Sequence, residues 1–526
     1  KSGSMTPDPT EFCGNRLIGC SQADEPFDLQ DFIDQRILAG EKVITVPPGQ
    51  YRIVPQNKVH LRFSGVSDLT VIADGVEMIC TETTRAIGIE DCTNVSLRGL
   101  TIDYDPLPFT QGKITEISPD RKSHTLEIET GFPSARKARV FKHAVFSPGG
   151  ELKYGEYYRF KVEALSDTRL QISGLNSAKD GGERVGDRVV VGIRHAPGGV
   201  VPHAVFCNRS TATVLENVTL YASPVFGFFE THCNGSIYRN CKIDKRAGRL
   251  RSLNADAFHS KFAKKGPQII GCKAMWQGDD CVNICGAYHL ITEADHDTLR
   301  VLAKLEMDIQ PGDPVELIAE DGKRIPDAIV VSVKPAGSTT AEEKGRLKSL
   351  ELLPRIRGFL KDAYEIKLDR EVDIPFGSVI ASMNRMGNGF SVKDCIFGNN
   401  RSRGILIKAS DGEISGNRIV NCGMQAIKIS PEYQWLESGS SCNLIVSNNT
   451  VVNPGMEAIQ IHTFGKHAAH ENIQITGNTI RSDSIPAIYI GGLKNGSERG
   501  NNVCRMDGSP VESPIVLEHC EHIDED

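Results

Sequence analysis

The sequence predicts an all-β protein, a right-handed parallel β-helix carrying two inserted small antiparallel β-barrel modules and an N-terminal capping helix. Three observations lead there. A short phrase with a Cys or Asn marker returns along the chain: Asn240-Cys241-Lys242-Ile243, Gly271-Cys272-Lys273-Ala274, Asp394-Cys395-Ile396-Phe397, Gly416-Asn417-Arg418-Ile419, Asn448-Asn449-Thr450-Val451 and Gly477-Asn478-Thr479-Ile480. The markers lie 31, 123, 22, 32 and 29 residues apart, and all but one interval fall within the range of about 20–50 residues that signals a repeat. After the markers come short strands such as Cys281-Val282-Asn283-Ile284, Gly404-Ile405-Leu406-Ile407-Lys408, Ala426-Ile427-Lys428-Ile429 and Ala458-Ile459-Gln460-Ile461-His462. Finally, 526 residues with 50 Gly and only 2 Trp are too many for one simple core and suit an elongated coil of thin strands and tight turns.

From the N-terminus, Phe27 to Ile37 has Leu29, Phe32, Ile33 and Ile37 at near-helical spacing. A helix there would plug the open end of the first coil. Strand, turn and strand follow over Val43–Ile53. The expected organisation is a cap and first coils over 22–104, an inserted barrel over 105–200, central coils over 201–286, a second barrel over 287–386, and C-terminal coils over 387–526. The 123-residue interval requires the second insertion. Alternating runs such as His124–Ile128, Gly186–Val191, Thr298–Ala303 and Ile329–Val333 make both insertions β modules rather than linkers. Lys1-Ser2-Gly3-Ser4 reads as an appended tail, compatible with a leader removed upstream. Leu17-Ile18-Gly19-Cys20 has the form of a lipoprotein box, but no hydrophobic run precedes it.

With 39% hydrophobic and 24% charged residues the chain has the composition of a folded protein, and its net charge of −7 gives no support for nucleic-acid binding. No apolar run approaches the roughly 20 residues of a membrane span. The 15 cysteines recur beside strands and read as buried free thiols, with Cys281 and Cys285 as stacking filler. No Cys/His set has zinc spacing, so neither metal nor cofactor is expected.

Chemistry concentrates in Asn254-Ala255-Asp256-Ala257-Phe258-His259 and Gly278-Asp279-Asp280-Cys281-Val282-Asn283. Asp256 and Asp280 lie 24 residues apart, about one coil, which stacks one carboxylate over the other. Such a cluster can keep one carboxyl protonated and another ionised, the requirement of glycoside hydrolysis. A solvated Gly-Asp-Asp turn is the plainer alternative. Period-two alternation sends Val282, Ile284, Ile405, Ile407, Ile427, Ile429, Ile459 and Ile461 to the core. It turns His259, Asn283, Lys408, Lys428, Gln460, His462 and Tyr489 outward as a polar wall. Arg403 and Lys408 are placed near the Asp280 column, as partners of the carboxylates or as a structural ion pair. Trp435, in the loop with Glu432, Tyr433 and Glu437, is a sugar-stacking platform or core filler. Glu437 is an acid, a hydroxyl-binding group or a surface carboxylate. Trp276 reads equally as pocket wall or turn filler, while Glu230 and His232, one coil earlier, receive no role.

These motifs resemble known families. Asn254-Ala255-Asp256 with Gly278-Asp279-Asp280-Cys281 is similar to the paired signatures of the polygalacturonase-type hydrolases of glycoside hydrolase family 28, although no Gly-His-Gly follows. A closer resemblance, over about residues 25–500, is to the α-1,3-galactosidases of glycoside hydrolase family 110. It also rests on Ala222-Ser223-Pro224, Arg403-Gly404-Ile405-Leu406-Ile407, Ile429-Ser430-Pro431-Glu432 and Trp435-Leu436-Glu437-Ser438-Gly439. Ala257 and Cys285-Gly286 depart from the commoner Gly and His-Gly. The resemblance implies an exo-acting, metal-independent, inverting hydrolase that removes terminal galactose from blood group B-like or linear glycans. It implies Asp256 and Asp280 as the pair that positions water, and Asp279 binding a sugar hydroxyl or sharing protons. A glutamate would be the general acid, with Glu437 first and Glu316 second. The expected substrate-binding residues are His259, Asn283, Arg403, Lys408, Lys428 and Trp435. The expected partner is an oligosaccharide or glycoconjugate with terminal galactose, and the expected protein is a secreted or periplasmic monomer or homodimer. Two alternatives remain: a polyuronide or sulfated-galactan hydrolase with Arg403, Lys408 and Lys428 as a basic subsite, and a non-catalytic carbohydrate-binding solenoid.

Overall fold

The structure, a computed structural model, describes residues 27–156, 160–175, 182–193 and 201–525; the Lys1–Ser4 tail and the Leu17–Cys20 box lie outside them. Three parallel sheets of 12, 11 and 11 strands run the length of the molecule as the faces of a β-helix. Each coil places one strand directly above its predecessor. Thus Phe228, Phe258, Val282, Ile405, Ile427, Ile459 and Ile488 form one vertical stack in register. Every member is buried. The period-two assignment of Val282, Ile284, Ile405, Ile407, Ile427, Ile429, Ile459 and Ile461 to the interior therefore holds.

The repeated phrase has two physical causes. Its first residue turns the corner in the left-handed region, with φ between 51° and 68° at Asn240, Gly271, Asp394, Gly416, Asn448 and Gly477. Gly, Asn and Asp are the residues that reach this region at low cost. Its second residue belongs to a polar ladder inside the turn. Cys272 N–H donates to Cys395 Sγ (3.4 Å) and Cys395 N–H to Asn417 Oδ1 (3.0 Å). Asn417, Asn449, Asn478 and Asn501 then pass amide hydrogen bonds along the axis at 2.9, 2.9 and 2.8 Å. Each buried amide is satisfied by the next coil, which avoids the penalty of an unpaired polar group.

Helix α1 (Leu29–Leu38) starts at Asp28, whose Oδ1 accepts from Asp31 N–H, and buries Leu29 and Ile33 at the end of the coil. The two insertions differ from each other. Residues His289–Ser382 supply a closed six-stranded barrel with its own core of Ile291, Leu299, Val301, Leu317 and Ile366. The strands between Phe109 and Gly192 form a seven-stranded antiparallel sheet around Ile114, Leu126, Leu170 and Val189. Its outermost strands, Leu152–Glu156 and Lys161–Ala164, do not pair with each other among the described residues, so there the expected barrel is an open sheet. Both modules lean over the central coils, where each lends side chains to one cavity.

Candidate active site

Four strands set the platform: β1 (Phe228–Thr231), β2 (Phe258–Lys261), β3 (Val282–Cys285) and β4 (Ile405–Ile407). Alternation points Phe229, His259 and Asn283 outward in one column. Two residues ahead of the in-register Phe258, Val282 and Ile405 stand Asp256, Asp280 and Arg403. The coil spacing thus brings these three together from positions as distant as 256 and 403. Carboxylate oxygens of Asp256, Asp279 and Asp280 all lie within 4.8 Å of one another.

Each aspartate has a cationic partner. Asp256 Oδ2 accepts from His259 Nδ1 at 2.7 Å. Asp279 is bonded to Lys142 of the first module and, at 2.8 Å, to Arg401. Asp280 accepts from the Arg403 N–H at 2.9 Å and lies 3.3 Å from its guanidinium. The spacing of the three would also suit a divalent cation, but side chains already supply the positive charge there.

Burial opposes charge at His259, yet its hydrogen bond to Asp256 carries the imidazole up to about 10, so it is a cation at neutral pH. Its ring stacks on Phe226 at 4.7 Å. Burial likewise opposes ionisation of Asp280, and the Arg403 charge with hydrogen bonds from Ser402 and Arg403 overcomes it, holding the carboxyl below its usual value. Lys142, 2% exposed, is pushed well below the ordinary lysine value by burial and then by the Arg401 charge. Burial and the Arg401 charge thus weaken the hold of the Lys142 nitrogen on its proton.

The cavity above this platform has a volume of about 500 Å³. Asp256, Asp279, Asp280, His259, Asn283 and Arg403 line it, as do Trp435 and Glu437 from the loop after Ser430. Phe226, Phe229 and His203 form an apolar wall, and Lys304, Arg355 and Phe359 come from the barrel. Eight of the ten expected site residues thus share one cavity.

Lys408 and Lys428 are the other two. Lys408 faces outward as alternation requires, but it is completely buried under the Glu432–Glu437 loop. Its ammonium reaches Glu437 at 2.9 Å, Glu432 at 3.3 Å and Asn283 at 3.3 Å, so it holds carboxylates rather than contacting a ligand. Lys428 is half-buried beside Arg403 and Glu432 and does not line the cavity; burial and the Arg403 charge bring it down to about 8. Gln460, His462 and Tyr489 lie on coils beyond it, so the polar wall is longer than the site.

Glu437, the first choice for the acid, lines the cavity beside Lys408. Burial favours its proton, but Lys408, Lys304, His259 and Lys261 together hold it as a carboxylate, well below the usual range. Glu316 is removed from the cavity: it is buried and accepts from Tyr288 O–H at 2.8 Å and from Ser440 N–H. Glu230 is locked inside the coil by Ser260 and Tyr238, and His232 sits 3.7 Å from Glu306. Trp276 packs under Lys245 outside the cavity. Lys142, Arg401, Lys261 and Lys304 also line the cavity, outside the residues expected from the motifs. Arg401 stands two residues before Arg403 and was open to the same reasoning; Lys142 and Lys304 belong to insertions, where no coil period applies.

Fold and cavity together define a β-helix protein with a walled aspartate site. The chain is similar to α-1,3-galactosidase B of Bacteroides thetaiotaomicron, with 23% identity over 478 residues, 84% of this chain and 74% of that protein. It is similar to α-1,3-galactosidase A of Bacteroides fragilis, with 21% identity over 92% of this chain and 85% of that protein. The resemblance drawn from the motifs is borne out by these relatives. No protein-family model matches. Among solved structures, the A-module of an Azotobacter vinelandii mannuronan C-5 epimerase aligns at TM-score 0.44 and 11% identity, over 93% of each chain. The polygalacturonase of Erwinia carotovora aligns at 0.43 and 10%, over 94% of this chain and 95% of that one.

Proposed function

We propose that the protein is an exo-acting glycoside hydrolase that releases terminal α-linked galactose, with a preference for the α-1,3 linkage. The observation that carries this reading is the aspartate trio at the floor of a cavity walled by both inserted modules, in a chain similar to α-1,3-galactosidases. A cavity flanked by both modules suits a chain end better than a polymer mid-section, and Trp435 lines it, where an aromatic ring can pack on a sugar.

Asp280, kept ionised by Arg403, and Asp256, facing the His259 cation, position a water and take its proton as its oxygen bonds to the anomeric carbon. Asp279 gives the glycosidic oxygen the proton it shares with Lys142, and the bond to the leaving group breaks. The base gains one proton, the acid loses one, and exchange with solvent resets both. This assigns the acid to Asp279 in place of Glu437. Inversion rests on the family resemblance rather than on spacing, since the trio is tighter than the roughly 6.5–9.5 Å usual for inverting pairs. Action on glycans also favours a periplasmic or secreted location.

The test is galactose release from p-nitrophenyl α-galactoside and from galactosyl-α-1,3-galactose, with proton NMR of the first anomer. β-Galactose should appear first. Failure to cleave any α-galactoside would overturn the assignment; α-galactose first would overturn inversion alone.

A further inference from the structure

The charges around the cavity do not balance at its barrel end. Arg403, one of the basic residues expected to form a subsite, is committed to Asp280 and Glu432, and Lys408 to Glu432 and Glu437. Lys261 and Lys304 line the same cavity, and no carboxylate among the described residues lies within ion-pair distance of either. Lys261 follows His259 by two residues on β2, so both project from the same face about 6.6 Å apart along the strand. Lys304 ends the barrel strand Thr298–Lys304, is 3% exposed, and donates to the Leu436 carbonyl at 3.1 Å. Both lysines line the cavity, the Lys261 ammonium 4.9 Å over the Phe262 ring, and Lys261 and Asp256 lie on opposite sides of His259 along the chain. Glu437, the nearby carboxylate, is paired with Lys408 and shares only a longer-range attraction with Lys304 and Lys261.

We infer that Lys261 and Lys304 form an anion-binding subsite that takes an oxyanion substituent, a sulfate ester or a carboxylate, on the glycan held in this cavity. Two cations enclosed by low-dielectric walls repel each other, and an oxyanion between them relieves that repulsion with charge-assisted hydrogen bonds. The state of Lys304 is consistent with this. Burial and then the Lys261 charge bring it down to about 7, against the opposing pull of Glu437 and Cys285 and with a smaller contribution from Lys408. A bound anion would restore its proton, so anion affinity should be full below pH 7 and weaken as pH rises past it. The inference rests on the galactosidase reading only for the sugar that bears the anion.

The experiment is calorimetric titration of the full chain with galactose, galactose 6-sulfate and galacturonic acid at pH 6 and pH 8.5. At pH 6 at least one anionic sugar should bind about tenfold or more tightly than galactose, and which one does so separates sulfate ester from carboxylate. The preference should shrink at pH 8.5, and in Lys261→Met and Lys304→Met it should fall to within about twofold. Lys304 is buried and its variant is checked for folding by circular dichroism; the half-buried Lys261 gives an independent reading. Equal affinity for all three sugars, or an anion preference unchanged in Lys261→Met, would overturn the subsite. Binding is measured without turnover. A preference found where no α-galactoside is cleaved would therefore sink the proposed activity and leave the subsite standing, and cleavage with no preference would do the reverse.

Discussion

Lys142 and Asp279 join the first inserted module to the coil carrying the aspartates, across 137 residues of sequence. The lysine backbone is held in turn, since Arg251 Nη1 donates to the Lys142 carbonyl at 2.7 Å. If the pair stores the proton used by Asp279, replacing Lys142 should alter the pH profile and not only the rate. In Lys142→Met the proton must sit on Asp279 alone, beside Arg401, so the alkaline limb of kcat/KM should move to lower pH by a unit or more. The rate at the optimum should fall about 10- to 100-fold. A uniform loss of rate with an unmoved alkaline limb would reduce Lys142 to a structural tether.

The three aspartates should behave differently from Glu437. Asp256→Asn, Asp279→Asn and Asp280→Asn should each lower kcat by about 10²–10⁴-fold with unchanged circular dichroism. Glu437→Gln should act mainly on KM, because Lys408 and Lys304 hold that carboxylate away from acid chemistry. A larger kcat loss in Glu437→Gln than in Asp279→Asn would return the acid role to Glu437.

Arg403 gives a second pH test with a fixed sign. It holds the Asp280 carboxyl below its usual value. In Arg403→Met that carboxyl rises, a larger fraction is protonated at mildly acidic pH, and the acid limb of the rate profile should shift upward. A limb that stays in place would mean Asp280 is not the base whose ionisation the profile reports.

The coil was legible because two local constraints repeat: a left-handed corner that wants Gly, Asn or Asp, and a buried marker that must hydrogen-bond to the next coil. The aspartate cluster was legible for the same reason, since register carries Asp256 over Asp280. Alternation told which face Lys408 takes but not what covers that face, and the Glu437 loop buries it. Closure of a β module depends on which end strands meet, a long-range property, so alternation marked the first insertion as strands but could not tell that its sheet stays open among the described strands. Lys142 is the extreme case: its partner is chosen by how a whole module leans on the coil.

The ladder makes a stability prediction. Asn449 both donates to Asn478 Oδ1 at 2.9 Å and accepts from Asn417 Nδ2 at 2.9 Å, fully buried. Asn449→Ala should cost about 2–4 kcal/mol, because neighbours on two coils each lose a buried partner. Denaturant unfolding monitored by circular dichroism reads this directly, and a loss under about 0.5 kcal/mol, the level of a plain surface change, would remove the ladder as a stabilising element.

Acid should attack the first module before the coil. His124 and His143 stack at 5.6 Å inside it, both buried, with both His143 ring nitrogens and His124 Nε2 lacking a hydrogen-bond partner among the described residues. Burial brings His124 down to about 4, and burial with the His124 and Arg251 charges takes His143 well below its usual value. A folded-state value below the unfolded 6.5 means that unfolded chains bind more protons, so stability rises with pH. Their neutral burial is uncompromised above pH 6.5, and stability is lost as pH falls from there toward 4. Because His143 follows Lys142 in the chain, activity should disappear in the same window, beyond what titration of the aspartates explains. In His143→Phe the melting temperature should vary less between pH 6.5 and 4.5, measured by differential scanning fluorimetry. An unchanged slope in this variant would place the acid sensitivity elsewhere in the molecule.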